Sequence, residues 1–155
     1  MKMFLQPAMK NIFLTDDDPD DCMLFSEALQ ELFPEDEPKL TIASDGVKLM
    51  DALKESVQDT PEVIFLDLNM PRKNGFECME EIRKMPEFKN IPIIIFSTSS
   101  NNDIVDKTYE HGANYYICKP QSYSLLKKTI AFVLSFDLKK LSQQPLREKF
   151  VISMA

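Results

Sequence analysis

Val63-Ile64-Phe65-Leu66-Asp67-Leu68-Asn69-Met70-Pro71 runs from four consecutive apolar residues into a lone carboxylate and then into a turn. A short, uninterrupted apolar run marks a strand buried on both faces of a parallel sheet, and Asp67 stands at its carboxyl end. The same pattern recurs along the chain. Ile12-Phe13-Leu14 leads to Asp16 and Asp17, Ile93-Ile94-Ile95-Phe96 to Ser97, and Tyr115-Tyr116-Ile117-Cys118 to Lys119. Leu40-Thr41-Ile42-Ala43 supplies a weaker fifth strand.

Helical periodicity fills the intervals. Cys22, Phe25, Leu29 and Leu32 recur at helical spacing until Pro34; Val47, Leu49, Met50 and Leu53 follow the Asp45-Gly46 turn. Phe76, Met79 and Ile82 share one face, Ile104, Val105, Thr108 and Tyr109 precede Gly112, and Leu126, Ile130, Val133 and Leu134 form a last stripe. Parallel strands need helical crossovers, so five βα units predict an α/β, doubly wound, five-stranded sheet with helices on both faces. The expected organisation is an N-terminal extension over 1–9, one domain over 10–141 and a C-terminal tail over 142–155. Whether that tail packs, swaps or stays loose is open, because Leu146, Phe150, Val151 and Ile152 are mixed with polar residues.

With 155 residues the chain suits one domain with a real core. Its net charge of -7 argues against a nucleic-acid or anionic-membrane surface, both of which call for clustered Lys and Arg. The three cysteines, Cys22, Cys78 and Cys118, are scattered and odd in number. They read as buried small hydrophobes in a reduced compartment, neither a zinc set nor a disulfide framework. No signal-length apolar segment opens the chain, so the reading is cytoplasmic.

In open parallel sheets ligands bind outside the carboxyl ends of the strands. There the pattern gathers three carboxylates, a hydroxyl and an ammonium, a set suited to a divalent cation and a phosphoryl group. Half of the acidic run Asp16 to Asp21 is helix punctuation: Asp18 fits an N-cap, Pro19 the first helical position, and Asp20 and Asp21 the positive end of the helix dipole. Asp16 and Asp17 differ. Two adjacent carboxylates at a strand end repel unless a cation lies between them, and Mg²⁺, which prefers oxygen ligands, is the natural neutraliser, with Mn²⁺ as an alternative. Asp67 could be a turn former, but Asn69, Pro71, Asn74 and Gly75 already supply the turn. A carboxylate beside a metal can also act as a nucleophile. Ser97 could simply cap the following helix, whereas Lys119, a compact charge ending an apolar strand, can hold a phosphoryl oxygen. His111, the only histidine, reads as a surface or capping residue.

In this order at strand ends, the Asp16-Asp17 pair, Asp67-x-Asn69-Met70-Pro71-x-x-x-Gly75, Ser97, Gly112-Ala113 and Lys119-Pro120 resemble the receiver domain of two-component response regulators, over roughly residues 10 to 138. The resemblance implies a flavodoxin-like sheet of order 2-1-3-4-5. It makes Asp67 the phosphoacceptor, and Asp16, Asp17, Asp67 and the backbone carbonyl of Asn69 the magnesium ligands. Ser97 and Lys119 become the phosphoryl-binding residues, and Tyr116 the switch aromatic that turns inward on activation; the lesser reading of Tyr116 is an amphipathic tyrosine at the surface end of a strand. Asn69 and Ser99, two positions past the acceptor and the hydroxyl, would tune dephosphorylation. The Lys119-Pro120 bond is expected cis.

The resemblance further implies a sensor histidine kinase or phosphotransfer protein as donor. An output protein would dock on the face of the fourth helix, fifth strand and fifth helix. With no room for a DNA-binding output domain, the signal would pass by protein contact, from a monomer or a homodimer. Two other readings exist: a small magnesium phosphohydrolase working through an aspartyl phosphate, and a phosphorylation-independent adaptor. Asn69, where such hydrolases place a second acid, speaks against the first, and the apparently complete acceptor set against the second.

Overall fold

The computed structural model describes residues 10–154; the expected extension 1–9 and Ala155 lie outside them. Strands β1 (Asn11–Thr15), β2 (Lys39–Ala43), β3 (Val63–Leu66), β4 (Ile93–Ser97) and β5 (Tyr115–Cys118) alternate with helices α1 (Pro19–Leu32), α2 (Gly46–Glu55), α3 (Gly75–Lys84), α4 (Asn102–Glu110) and α5 (Tyr123–Leu134). Beyond them come α6 (Leu138–Leu141), a 3₁₀ turn (Arg147–Lys149) and β6 (Val151–Ile152). The sheet is parallel throughout, in the order β2-β1-β3-β4-β5-β6. The expected five-strand order is present, extended by a sixth strand that the sequence did not announce.

Strand alternation builds two cores. Ile12, Leu14, Val63, Phe65, Ile94 and Phe96 point to one face, where they meet Phe25 and Leu29 of α1 and Ile130 and Val133 of α5. Their neighbours Phe13, Ile64, Leu66, Ile93 and Ile95 point to the other, against α2, α3 and α4. Because successive side chains leave a strand on opposite sides, a continuous apolar run fills both layers at once. Phe25 ties the first core together, edge-on to Phe65 at 4.9 Å and to Phe96 at 5.9 Å.

Short polar residues start the helices. Asp18 accepts from the Asp20 amide with Pro19 behind it, Asp45 accepts from Lys48, and Asn74 and Glu77 form a reciprocal capping box. His111 is the C-cap of α4, with Nδ1 2.8 Å from the Lys107 carbonyl oxygen, as a capping residue should be. Gly112 follows at φ 93, a backbone that L side chains rarely adopt.

The C-terminal segment packs. The α5–α6 passage is the crossover that parallel pairing of β6 with β5 requires, with Tyr116 opposite Val151 and Ile117 opposite Ile152. Leu141 and Phe150 are fully buried. Two expectations need correction. Cys22 and Cys78 are buried free thiols, but Cys118 is exposed, because it ends β5 beyond the last helix-covered position. The Lys119-Pro120 bond is trans, as are all described peptide bonds. The Lys119 amide extends the ladder by donating to the Ser97 carbonyl at 2.7 Å, and its ammonium still reaches the strand-end carboxylates, so nothing opposes the ordinary trans preference of about 0.5–1 kcal/mol.

Candidate functional site

The carboxyl ends of β1, β3, β4 and β5 meet at one point. Asp16 follows β1 and is buried; its Oδ1 accepts from the Asp18 amide at 3.0 Å. Asp17 points outward to solvent. Asp67, 7% exposed, follows β3, and its amide donates to the Thr15 carbonyl at 2.9 Å, which locks the two strand ends together. Carboxylate oxygens of Asp16, Asp17 and Asp67 lie within 4.8 Å of one another. Gly75 allows this closeness. A side chain there would bring its Cβ to 2.7 Å from the Asp67 carbonyl oxygen and 3.0 Å from the Leu68 Cα, so only glycine lets α3 start directly against the Asp67 strand end.

Lys119 reaches across from β5. Its Nζ lies 2.7 Å from Asp16 Oδ2, 2.9 Å from Asp21 Oδ2 and 3.5 Å from Asp67 Oδ2. The shortest of these contacts makes Lys119 the counter-charge of the buried Asp16 Oδ2. Burial pushes the carboxyls of both Asp16 and Asp67 above the usual range; the Lys119 ammonium opposes this without cancelling it. For Lys119 itself burial works against the charge, yet Asp16, Asp21 and Asp67 outweigh it and hold the ammonium more firmly protonated than usual.

Ser97 is fully buried at the end of β4, and its Oγ accepts from the Ser99 amide at 3.2 Å. The hydroxyl therefore closes a turn toward α4. Asn69 is exposed in the β3–α3 loop, and Ser99 is half-buried. Tyr116 is 1% exposed, its hydroxyl donating to the Ser99 carbonyl at 2.7 Å, so it is no surface tyrosine. Burial raises its phenol above the ordinary value.

One residue of the site was missed. Asp21, read from sequence as a dipole partner, is a second hydrogen-bonding counter-charge for Lys119. The available signal was positional: Asp21 stands three residues after the N-cap Asp18, in the turn that faces back toward the end of β1.

Three carboxylates and no nitrogen or sulfur donor make an oxygen-only set, with the single Lys119 ammonium shared among Asp16, Asp21 and Asp67. Such a set fits a hard divalent cation. Among the described residues no helix is long and apolar enough to cross a membrane.

Comparison with known proteins agrees with this geometry. The family model of the response regulator receiver domain matches residues 12–131. Response regulator Rcp1 of Synechocystis is 35% identical over 133 residues, 83% of this chain and 89% of its own. The structure of the phosphorylated cyanobacterial phytochrome response regulator RcpA superposes with a TM-score of 0.76 at 33% identity, covering 83% of this chain and 94% of that one. The Mn²⁺-bound form of Rcp1 gives 0.73 at 34% identity, covering 88% and 99%. The chain belongs to the response-regulator receiver family and is a phosphorylation-dependent signalling switch of two-component systems.

Proposed function

We propose that Asp67 is the acceptor of this switch, taking a phosphoryl group from the phosphohistidine of a sensor kinase or phosphotransfer protein. A single observation carries the assignment: Asp67 is buried within 4.8 Å of the acidic pair and 3.5 Å from Lys119, whereas Asp16, the other buried carboxylate there, is already engaged by the Asp18 amide at 3.0 Å and by Lys119 at 2.7 Å. An Asp67 carboxylate oxygen forms the new bond to phosphorus as the bond to the donor imidazole nitrogen breaks, and the nitrogen keeps the electron pair. Asp16, Asp17, Asp67 and the Asn69 carbonyl would hold a divalent cation, Mg²⁺ in the cell. When bound, that cation supplies the charge that lets carboxylates and phosphoryl oxygens share one site. That Rcp1 has a Mn²⁺-bound form supports a divalent-cation site here.

The chain's own residues do the rest. Lys119 is held at the mouth by Asp16 and Asp21 and can turn toward a phosphoryl oxygen without leaving the pocket. Ser97 offers its hydroxyl proton to another. Transfer is mostly positioning and electrostatics, with little bond-making for the protein beyond the one new acyl-phosphate bond. The phosphoryl group draws Ser97 and the loop behind it inward and biases a two-state equilibrium. Output passes to a protein partner at the α4–β5–α5 face, of which residues 142–154 form part. Beyond its own phosphorylation and dephosphorylation the chain performs no catalysis.

The test is intact-mass measurement after incubation with acetyl phosphate, with and without Mg²⁺. One phosphoryl group per wild-type chain, dependent on the cation, and none on Asp67→Asn is expected. Stoichiometric phosphorylation of Asp67→Asn overturns the assignment.

A further inference from the structure

The C-terminal segment lies over Tyr116. Phe150 is fully buried between two tyrosines, its ring centroid 5.0 Å from that of Tyr109 on α4 and 6.3 Å from that of Tyr116 on β5. The Tyr116 amide donates to the Phe150 carbonyl at 3.1 Å, so backbone as well as ring is engaged. The segment is pinned along its length. Gln144 Nε2 donates to the Tyr109 carbonyl at 2.7 Å and to Ala113 at 2.9 Å, the Tyr109 hydroxyl donates to the Pro145 carbonyl at 2.7 Å, and Arg147 pairs with Asp106 at 2.7 Å. Tyr116 itself is inward, with its hydroxyl on the Ser99 carbonyl, two residues past Ser97.

We propose that Phe150 is a positioning residue that holds Tyr116 inward whether or not Asp67 is phosphorylated. An outward tyrosine would need volume that the Phe150 ring fills, and close-packed interiors do not yield such volume without unseating the group that fills it. The tyrosine is therefore a fixed strut between the Ser97–Ser99 turn and the C-terminal segment, not a free rotor. Movement of that turn on phosphorylation reaches the segment through Tyr116, so the readout is the seating of residues 144–152 on α4 and β5. By linkage, whatever unseats the segment also alters the site at Ser97. The proposal rests on the acceptor reading above, and its test separates the two.

The experiment is ¹⁹F NMR of the full chain carrying fluorotyrosine, with the Tyr116 resonance assigned by Tyr116→Phe, recorded with and without beryllofluoride and Mg²⁺. In the wild type the Tyr116 resonance should stay single and sharp with and without beryllofluoride, with no second, outward population. Phe150→Ala should give a second or exchange-broadened Tyr116 resonance without beryllofluoride, from an outward population risen to about 10% or more. Beryllofluoride should drive that resonance back, and Phe150→Leu, which restores bulk, should keep the wild-type position. A wild-type resonance that is split or exchange-broadened without beryllofluoride and collapses to one line on its binding, or a Phe150→Ala resonance that stays single and unmoved, overturns the proposal. Should Phe150→Ala fail to fold, Gln144→Ala with Arg147→Ala loosens the segment from outside the core. That double variant must then show the second resonance, and a single unmoved one counts as the same refutation. Absence of a bound-beryllofluoride signal in the wild type defeats the acceptor reading alone, because the comparison of variants without beryllofluoride still decides the role of Phe150.

Discussion

The carboxyl ends of β1 and β3 and the outer edge of β5 lie in the same sheet and are built on opposite terms. At the strand ends, three carboxylate oxygens crowd within 4.8 Å, burial raises two of the carboxyls, and one ammonium, Lys119, is shared among Asp16, Asp21 and Asp67. At the β5 edge, aromatic rings interlock, and the segment's Gln144, Pro145 and Phe150 all find backbone or side-chain partners. The first region is held in an unfavourable state by the rest of the fold and is completed by a ligand; the second is complete in itself. A receiver needs both, because charge strain at one end makes binding consequential and a well-packed edge turns binding into a change of shape.

The contrast breaks most visibly at Phe150. Removing its ring from full burial should cost about 3–5 kcal/mol and lower the melting temperature by roughly 10 °C, at about 2–4 °C per kcal/mol. Calorimetry showing almost no change would mean that the edge is not packed as described. At the strand ends the sign reverses: a divalent cation should stabilise the protein, by about 2.7 kcal/mol at a hundred times its dissociation constant. Asp16 and Asp67 have raised folded pKa values, so their contribution to stability is present below the ordinary carboxylate range and is lost as pH rises through the raised values. The metal-free pocket is thus penalised at neutral pH. The cation, which needs ionised carboxylates, should stabilise progressively less as pH falls through that same window. Melting curves with Mg²⁺ and with a chelator across that range check this, and a shift that grows on acidification contradicts it.

Asp17→Asn should sharpen the contrast further, raising the metal-free melting temperature by the equivalent of about 1 kcal/mol or less, the repulsion of exposed like charges near 4 Å, while diminishing the cation's effect. A variant less stable than the wild type in chelator would show that Asp17 is held by partners, not repelled by neighbours. The smallest effect concerns phosphate lifetime. Ser99 and Asn69 are small and uncharged, so they neither block nor activate a hydrolytic water. Tyr116 bonds to the Ser99 backbone, so varying the Ser99 side chain spares that contact and gives up only the long bond its Oγ accepts from the Asn101 amide at 3.3 Å. Ser99→Tyr should lengthen the lifetime severalfold, less than the tenfold that about 1.4 kcal/mol would give. An unchanged decay of purified phosphoprotein would place control of the water elsewhere.

The strand ends were legible in sequence because each strand writes its own signature: an apolar run, then a polar residue whose type names its chemistry. Asp16, Asp17, Asp67, Ser97 and Lys119 all arrive together for that reason. Asp21 was obscured because a carboxylate in the first turn of a helix is sufficiently explained by the dipole, and its second partner, Lys119, lies 98 residues away. The β5 edge was less legible. β6 is two residues long, too short for alternation to register, and its pairing depends on α5 and α6 returning the chain to the sheet. Likewise nothing local to Tyr116 announces that Phe150 will cover it, and the exposure of Cys118 depends on where the helices stop.

The central claim is that the strained pocket exists to load Asp67. Borohydride reduction of the phosphorylated wild-type chain converts an aspartyl phosphate to homoserine, which peptide mass mapping then locates. The account predicts homoserine at position 67 and at no other aspartate, formed only when both the phosphoryl donor and a divalent cation were supplied. Homoserine at position 16 or 17, or its absence from a chain that gained a stoichiometric phosphoryl group, would contradict it.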